Sequence, residues 1–213
     1  MTPEHLQRGM SDPFSRALSV VDQALREAFP DNYWKRCTYA AFGLHTLLKD
    51  NEVATQIVFG DMMCFTLSPD ASKPGMAGYG NAGAGAPAHF WVEAGGSLLD
   101  LGPHYLPCDA LRPIVSMPLI RWPLDEPMPL YLRYLEKGRG HADVRPEPSM
   151  SRQVADFIER CRALRHSAVD ASPPPAWQLT GTPSLRSAAD NGDIWARGAL
   201  RWSSRVKSSV LPF

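Results

Sequence analysis

Two short strand-like runs on either side of a glycine pair constrain the fold of this chain most. His89–Glu93 and Ser97–Leu101 are rich in aromatic and large apolar residues, and Ala94-Gly95-Gly96 stands between them. Glycine readily adopts the positive φ angles of the tight turns that join antiparallel strands. The pattern therefore predicts a β-hairpin and, with it, an antiparallel sheet.

The same hairpin brings two titratable side chains together. A turn centred on Gly95 places His89 and Asp100 side by side across the two strands, because antiparallel pairing sets residues distant in sequence opposite each other. A carboxylate beside an imidazole fixes the ring orientation and stabilises its charged form. We therefore predict a His89–Asp100 pair on one face of the hairpin.

Upstream of the hairpin, two segments have the apolar spacing of amphipathic helices. The first is Phe14–Phe29, with Ser11 or Asp12 as its cap and Pro13 in its first turn. The second begins at Cys37 and extends to Leu48. A thiol at a helix N-terminus is placed where the helix dipole and a nearby imidazolium stabilise its thiolate form.

These residues together predict a Cys37-His89-Asp100 nucleophilic triad. The backbone N–H of Cys37 would be one donor to an oxyanion, and Tyr33 or Trp34 would supply a second. His104 follows soon after Asp100 and is a candidate for the same cleft. The alternative is structural, because a cysteine on an apolar helix is usually part of the core and a histidine in a strand is usually a satisfied core residue.

Two further strands are expected at Val53–Phe59 and Met62–Leu67. The segment Ser68–Ala88 contains five glycines and three prolines. Such a composition favours a mobile surface loop, or a lid next to His89, and nothing after its glycines fits a phosphate-binding loop.

The second half of the chain is interrupted by prolines. Leu111–Trp122 is expected to contribute a strand, and Met150–Leu164 a helix capped by Ser149 or Ser151. We therefore predict a domain over residues 1–170, followed over residues 171–213 by a proline-rich linker and a tail that packs on the domain or is ordered by a partner.

Bulk composition excludes several functions. Lysine and arginine together number 22, as do aspartate and glutamate, so no net charge attracts nucleic acid or an anionic membrane. Neither a signal peptide nor a membrane span is evident, which predicts a cytoplasmic protein with free thiols. The four cysteines are too scattered for a metal motif, and we expect neither a metal nor a cofactor. The oligomeric state is left open.

Four segments resemble the transglutaminase-like branch of the papain-like cysteine enzymes. They are the run Arg36–Leu48, the strand end Val58-Phe59-Gly60, the run His89–Glu93 and the strand end Leu98-Leu99-Asp100. The resemblance extends over Tyr33–Tyr105, about a third of the chain. Within the superfamily, the chain most resembles a bacterial family. No tryptophan-glycine motif of the usual kind precedes the cysteine.

The resemblance implies an α+β, papain-like fold in which the nucleophile helix packs on an antiparallel sheet. It also implies that Cys37 is the nucleophile, His89 the general base and acid, and Asp100 the orienting carboxylate. We expect a thiol-dependent hydrolase of peptide or amide bonds. The alternatives are acyl transfer to an amine, as in transglutaminases, or a non-catalytic binding module that retains the fold.

Overall fold

The chain folds into an α+β structure whose antiparallel-rich sheet lies between helices. The computed structural model describes residues 12–80, 88–140, 148–167 and 173–206. Within them the helices are α1 (Pro13–Ala28), α2 (Cys37–Lys49), α3 (Gly102–Asp109), α4 (Pro148–Ser167), α5 (Thr182–Asp190) and α6 (Ile194–Ser203), and a single 3-10 turn (Tyr33–Lys35) precedes α2. The strands are β1 (Thr55–Leu67), β2 (Pro74–Tyr79), β3 (His89–Ala94), β4 (Ser97–Asp100), β5 (Leu119–Pro123), β6 (Leu132–Arg139) and β7 (Gln178–Leu179).

The seven strands form one sheet in the order β2-β1-β3-β4-β5-β7, and β6 pairs with the other edge of β1. All pairings are antiparallel except that of β5 with β7. The long strand β1 is central because it pairs with β6 on one side and with both β3 and β2, end to end, on the other. The site described below is built around this junction of β2 and β3.

Apolar side chains alternate between the two faces of the sheet, so both faces are buried. Ile57, Val92 and Leu99 pack with α1, α2 and α4 in one hydrophobic cluster. Val58 and Trp91 pack with α5 and α6 in the other. The molecule therefore has three layers, with the sheet in the middle.

Both predicted N-terminal helices are present. The side chain of Asp12 accepts a hydrogen bond from the backbone N–H of Ser15, and Pro13 is the first helical residue of α1. Cys37 is the first residue of α2, as predicted, and α2 packs on β3 and β1. The helix thus presents the thiol at its N-terminal end.

The hairpin is confirmed, but its register differs from the one we predicted. Ala94 pairs with Ser97 and Val92 with Leu99, around a two-residue turn of Gly95 and Gly96. Both glycines have positive φ, 51° and 77°, as a type I′ turn requires. The observed turn is centred between the two glycines, whereas the predicted turn was centred on Gly95. The observed pairing is therefore shifted by one or two residues.

The predicted strands Val53–Phe59 and Met62–Leu67 are one strand, β1, rather than two. Between Phe59 and Gly60 the pairing with β6 shifts register, so an irregularity replaces the break expected there. A Cβ at Gly60 would lie 1.9 Å from the backbone oxygen of Leu135. Only glycine permits this close approach of β6, which explains a glycine inside a continuous strand.

The predicted loop Ser68–Ala88 is partly a strand, because β2 lies within it. A Cβ at Gly78 would lie 1.9 Å from the backbone oxygen of Met62, so small residues here allow close backbone pairing with β1. The small residues of β2 predicted a loop because they bury few large side chains. Backbone hydrogen bonds to β1 nevertheless hold the segment as a strand. Residues 81–87, the part of the predicted loop or lid that comes just before His89, lie outside the described part.

The C-terminal segment contributes to the sheet and to its second helical layer. Strand β7 pairs in parallel with β5, and the indole N–H of Trp195 on α6 donates to the backbone oxygen of Phe65 at 2.8 Å. The predicted strand at Leu111–Trp122 is confined to β5, and α4 begins at Pro148, so Ser149 and Ser151 are inside the helix rather than before it. In the described ranges, no helix has both the length and the apolar character needed to cross a membrane.

Candidate active site

His89 and Asp100 form a buried ion pair on one face of the sheet. The Nε2 atom of His89 lies 2.7 Å from Oδ2 of Asp100, and the two residues are 0% and 3% exposed. If the observed hairpin register continues, Asp100 lies opposite Trp91, so His89 is its diagonal neighbour on the same face. The predicted contact is therefore present, although the two residues are not directly opposite.

Two further hydrogen bonds hold the Asp100 carboxylate. The backbone N–H of Gly102 donates to Oδ1 at 2.7 Å, and the hydroxyl of Tyr134 donates to Oδ2 at 2.8 Å. These two bonds, with that of His89, fix the orientation of the carboxylate. Burial and the nearby Asp100 charge raise the pKa of Tyr134 well above its ordinary value, so its hydroxyl stays protonated and remains a donor.

Aromatic rings enclose the imidazole of His89. Tyr79 stacks on it with 5.0 Å between ring centroids and 17° between planes, and Trp91 lies at 6.3 Å. Tyr79 and His89 are neighbours because Met62 pairs with Tyr79 and Gly60 pairs with His89, two residues apart on one face of β1. The ring is thereby fixed by packing as well as by its ion pair.

The environment of His89 favours its protonated form. Burial of the ring acts to lower the pKa, but the charge and hydrogen bond of Asp100, followed by the interaction with Cys37, raise the pKa of His89 to about 10. The imidazolium is therefore the form present at neutral pH. An imidazolium next to a thiol stabilises the thiolate.

The second ring nitrogen of His89 is not engaged by Asp100. Nδ1 is buried and has no hydrogen-bond partner of normal geometry among the described residues, whereas Nε2 is taken by Asp100. The thiol of Cys37 is close enough to the ring to affect its protonation. The structure thus brings Cys37, His89 and Asp100 together in the order that a nucleophilic triad requires.

Cys37 opens into a cleft of about 260 Å³. Trp34 and Lys35 line it from the turn before α2, and Tyr79 lines it from β2. Lys35 forms an ion pair with Asp109 at 3.1 Å, and both residues belong to its wall. The remaining lining residues are Ala40, Ala88, Asp100, Leu101, Gly102 and Tyr105.

Trp34, a predicted oxyanion donor, lines the cleft, and its indole N–H is buried without a partner among the described residues. The hydroxyl of Tyr79 has the same two properties. Burial raises the pKa of Tyr79, so this hydroxyl is a donor at neutral pH. The backbone N–H of Cys37, at the first position of α2, is a third donor without an intrahelical acceptor.

The two other predicted cleft residues lie outside the cleft wall. The Tyr33 hydroxyl is 3.4 Å from Sγ of Cys108, and the Tyr33 ring packs against Trp34. Nδ1 of His104 is 2.9 Å from the backbone oxygen of Met117, a contact that ties α3 to the segment before β5. Tyr33 supports Trp34, whereas His104 does not line the cleft.

The other cysteines differ from Cys37. All four are free thiols, and Cys64 and Cys161 are buried. Burial, with the charge of Asp100 as a second cause, raises the pKa of Cys64, and burial raises the pKa of Cys161 to about 12. Cys108 is exposed. Across the described ranges, no group of three or more histidine, cysteine or acidic residues is arranged to hold a metal ion.

Sequence reasoning missed three residues that shape the site. Tyr134 lies on β6, a strand in the proline-interrupted half of the chain, and no motif connects it to Asp100. Tyr79 lies in the segment predicted as a loop. Gly102 touches the pair so closely that a Cβ there would be 2.4 Å from Cε1 of His89; a glycine two residues after the predicted carboxylate was a signal available in the sequence.

Comparisons with known proteins give little beyond this geometry. No family model matches the chain, and no curated protein matches it significantly. One crystal structure, described only as a genomics target, has a TM-score of 0.39 and 19% sequence identity and covers 76% of this chain and 80% of its own.

Proposed function

We propose that this protein is a thiol-dependent hydrolase of peptide or amide bonds that acts through an acyl-enzyme on Cys37. One observation carries the proposal: buried His89 is paired through Nε2 with Asp100, its Nδ1 has no partner among the described residues, and Cys37, which interacts with the ring, lines a cleft. A purely structural histidine would be expected to have both ring nitrogens satisfied.

The papain-like arrangement is part of the same proposal. It is supported by a cysteine at the first position of α2, a histidine that begins β3, and an aspartate that ends the next strand. The packing of α2 on β3 and β1 agrees with it. The support is local geometry, independent of overall similarity to any known structure.

The reaction would proceed in two steps. The Cys37 thiolate attacks the substrate carbonyl carbon, and Trp34, Tyr79 and the Cys37 N–H are the available donors to the oxyanion. The His89 imidazolium then gives its Nδ1 proton to the leaving amine as the C–N bond breaks, which leaves a thioester on Cys37. Water next attacks the thioester while His89 takes a proton from it at Nδ1. The tetrahedral intermediate then breaks its C–S bond, which releases the acid and restores the Cys37 thiolate beside the His89 imidazolium.

Alkylation with iodoacetamide tests the nucleophile directly, and the chain supplies its own controls. At pH 6, where an ordinary thiol is almost fully protonated, we expect Cys37 to react at least about 10-fold faster than the exposed Cys108. The buried Cys64 and Cys161 should be slower still. Mass spectrometry of the native protein reads each site separately.

A His89→Gln variant provides the matched comparison. It should reduce Cys37 alkylation at pH 6 to about the rate of Cys108 and leave the rate of Cys108 unchanged. Equal rates for Cys37 and Cys108 in the native protein would contradict an activated nucleophile and favour the non-catalytic alternative. With a cleaved substrate in hand, addition of an amine acceptor separates hydrolysis from acyl transfer, since only transfer yields the amide product.

A further inference from the structure

A second cavity, of about 580 Å³, adjoins the cleft that contains Cys37. The two cavities share Tyr79 and Asp109 in their walls. One side of the larger cavity is β2, and the opposite side is the segment from Asp109 to Ile114 that follows α3. We call this larger cavity the β2 groove; Tyr79 and Asp109 stand between it and the cleft that contains the thiol.

Strand β2 offers the groove a backbone edge. It is the terminal strand of the sheet, so one of its edges has no strand partner in the described part of the chain. Six residues at about 3.3 Å each give an edge about 20 Å long. Gly75, Ala77 and Gly78 are small, which allows another backbone to approach closely. Free edges of this kind bind extended peptides as an added strand.

The charge of the groove is positive. Lys73 and Arg112 line it and are exposed, and neither forms an ion pair with a described residue. The acidic residue of its wall, Asp109, is already paired with Lys35 at 3.1 Å. Two unopposed cations beside an apolar floor favour a ligand that carries negative charge.

We propose that the β2 groove binds the substrate as an extended peptide that pairs with β2 and places acidic side chains near Lys73 and Arg112. This inference rests on the proposed function, because a peptide in the groove is a substrate only if the adjoining Cys37 cleft is the active site. It adds a substrate class, an acidic peptide in β conformation, and two residues that select it.

Binding is measured apart from chemistry by using the Cys37→Ala protein. The probes are fluorescein-labelled hexapeptides of valine, threonine and alanine that carry two glutamates, two glutamines or two lysines at the same positions. At low salt we expect the glutamate peptide to bind about 10-fold more tightly than the lysine peptide. Adding Lys73→Ala and Arg112→Ala should reduce this preference to about 2-fold, whereas Arg186→Ala, an exposed change on α5, should not.

A second variant tests the location. A Cβ at Gly75 would lie 3.4 Å from Oγ1 of Thr66, an ordinary contact, so Gly75→Leu should fold and fill the groove. We expect it to lose peptide binding at least about 10-fold while its thermal midpoint stays close to that of the parent. In the Cys37-containing protein, the same change should leave alkylation of Cys37 by the small reagent iodoacetamide unchanged.

The outcomes separate the two proposals. Equal binding of the three peptides, or normal binding by a folded Gly75→Leu variant, overturns the groove proposal whatever Cys37 does. Selective binding with a Cys37 that reacts no faster than Cys108 supports the groove and overturns the hydrolase. Rapid alkylation without selective binding leaves the hydrolase supported and removes the acidic peptide as its substrate.

Discussion

The hydroxyl of Tyr134 donates to Oδ2 of Asp100 at 2.8 Å, the same oxygen that Nε2 of His89 approaches to 2.7 Å. Two donors on one oxygen fix the carboxylate in the orientation that holds the imidazole. We expect Tyr134→Phe to lower kcat about 10-fold, because the loss of one hydrogen bond to a charged group is worth about 1.5 kcal/mol. KM should change less than about 2-fold, since Tyr134 does not line the cleft. Steady-state kinetics on a cleaved peptide measures both.

Tyr131 is the matched control for Tyr134. Tyr131 is buried and lies on the chain three residues before Tyr134, but its hydroxyl has no hydrogen-bond partner among the described residues. Tyr131→Phe should therefore leave kcat unchanged and keep or raise the thermal midpoint. Similar losses of kcat in the two variants would mean that Tyr134 acts through general packing rather than through Asp100.

Asp100→Asn keeps the shape of the side chain and removes its charge. The imidazolium of His89 then loses its counter-ion in a fully buried site, and we expect kcat/KM to fall about 100-fold or more. Alkylation of Cys37 at pH 6 should also slow, because a neutral imidazole no longer stabilises the thiolate. An Asp100→Asn protein that retained both properties would show that Cys37 and His89 function without the carboxylate.

Stability should depend on pH through His89. The pKa of its imidazole is about 10 in the folded protein, above the ordinary 6.5, so folding favours the protonated form. The stabilisation is complete below about pH 6.5 and is lost as the pH rises through about 10, and it amounts to a few kcal/mol at about 1.4 kcal/mol per unit. Urea unfolding at pH 6, 8 and 10 should show this decline.

If His89 causes the decline in unfolding free energy with pH, a variant without His89 should lack that decline. We expect the difference in unfolding free energy between the native protein and His89→Gln to shrink from pH 6 to pH 10. A difference that stays constant over this range would contradict the raised pKa.

Gly102→Ala should disturb the pair without touching its chemical groups. A Cβ at this position would lie 2.4 Å from Cε1 and 2.7 Å from Nε2 of His89, so the ring must move. We expect a loss of stability of about 1–3 kcal/mol and a fall in kcat. Gly80→Ala is the control, because no atom lies within 4 Å of a Cβ placed there. Normal activity in Gly102→Ala would show that the His89 ring can move without loss of kcat.

The part of the site that could be predicted from sequence is the part set by short-range patterns. Apolar spacing placed Cys37 at the start of a helix, and the glycine turn placed His89 and Asp100 on one hairpin. The exact register could not be obtained in the same way. The same residues can form a two-residue turn over Gly95 and Gly96 or a turn centred on Gly95. Only the backbone φ angles distinguish the two turns.

The rest of the site depends on contacts between distant segments. Tyr134 reaches Asp100 from a strand 34 residues further along the chain, and its position follows from the pairing of β6 with β1. Tyr79 stacks on His89 because β2 and β3 meet end to end along β1. No local periodicity encodes either pairing. The glycine-rich composition of β2 even argued against a strand. Composition indicates how many large side chains a segment can bury, but not which backbone hydrogen bonds it forms.

The C-terminal segment should matter for stability through one indole. Trp195 is 1% exposed and donates to the backbone oxygen of Phe65 at 2.8 Å, which joins α6 to β1. Trp195→Phe leaves that buried oxygen without its donor and opens a small cavity, so we expect a loss of about 2–4 kcal/mol. Trp202→Phe is the matched change, because Trp202 also packs on Phe65 but its indole N–H has no partner among the described residues. It should cost less than about 1.5 kcal/mol, and urea unfolding measures both. If Trp195→Phe costs no more than Trp202→Phe, α6 is not anchored to the sheet through this bond.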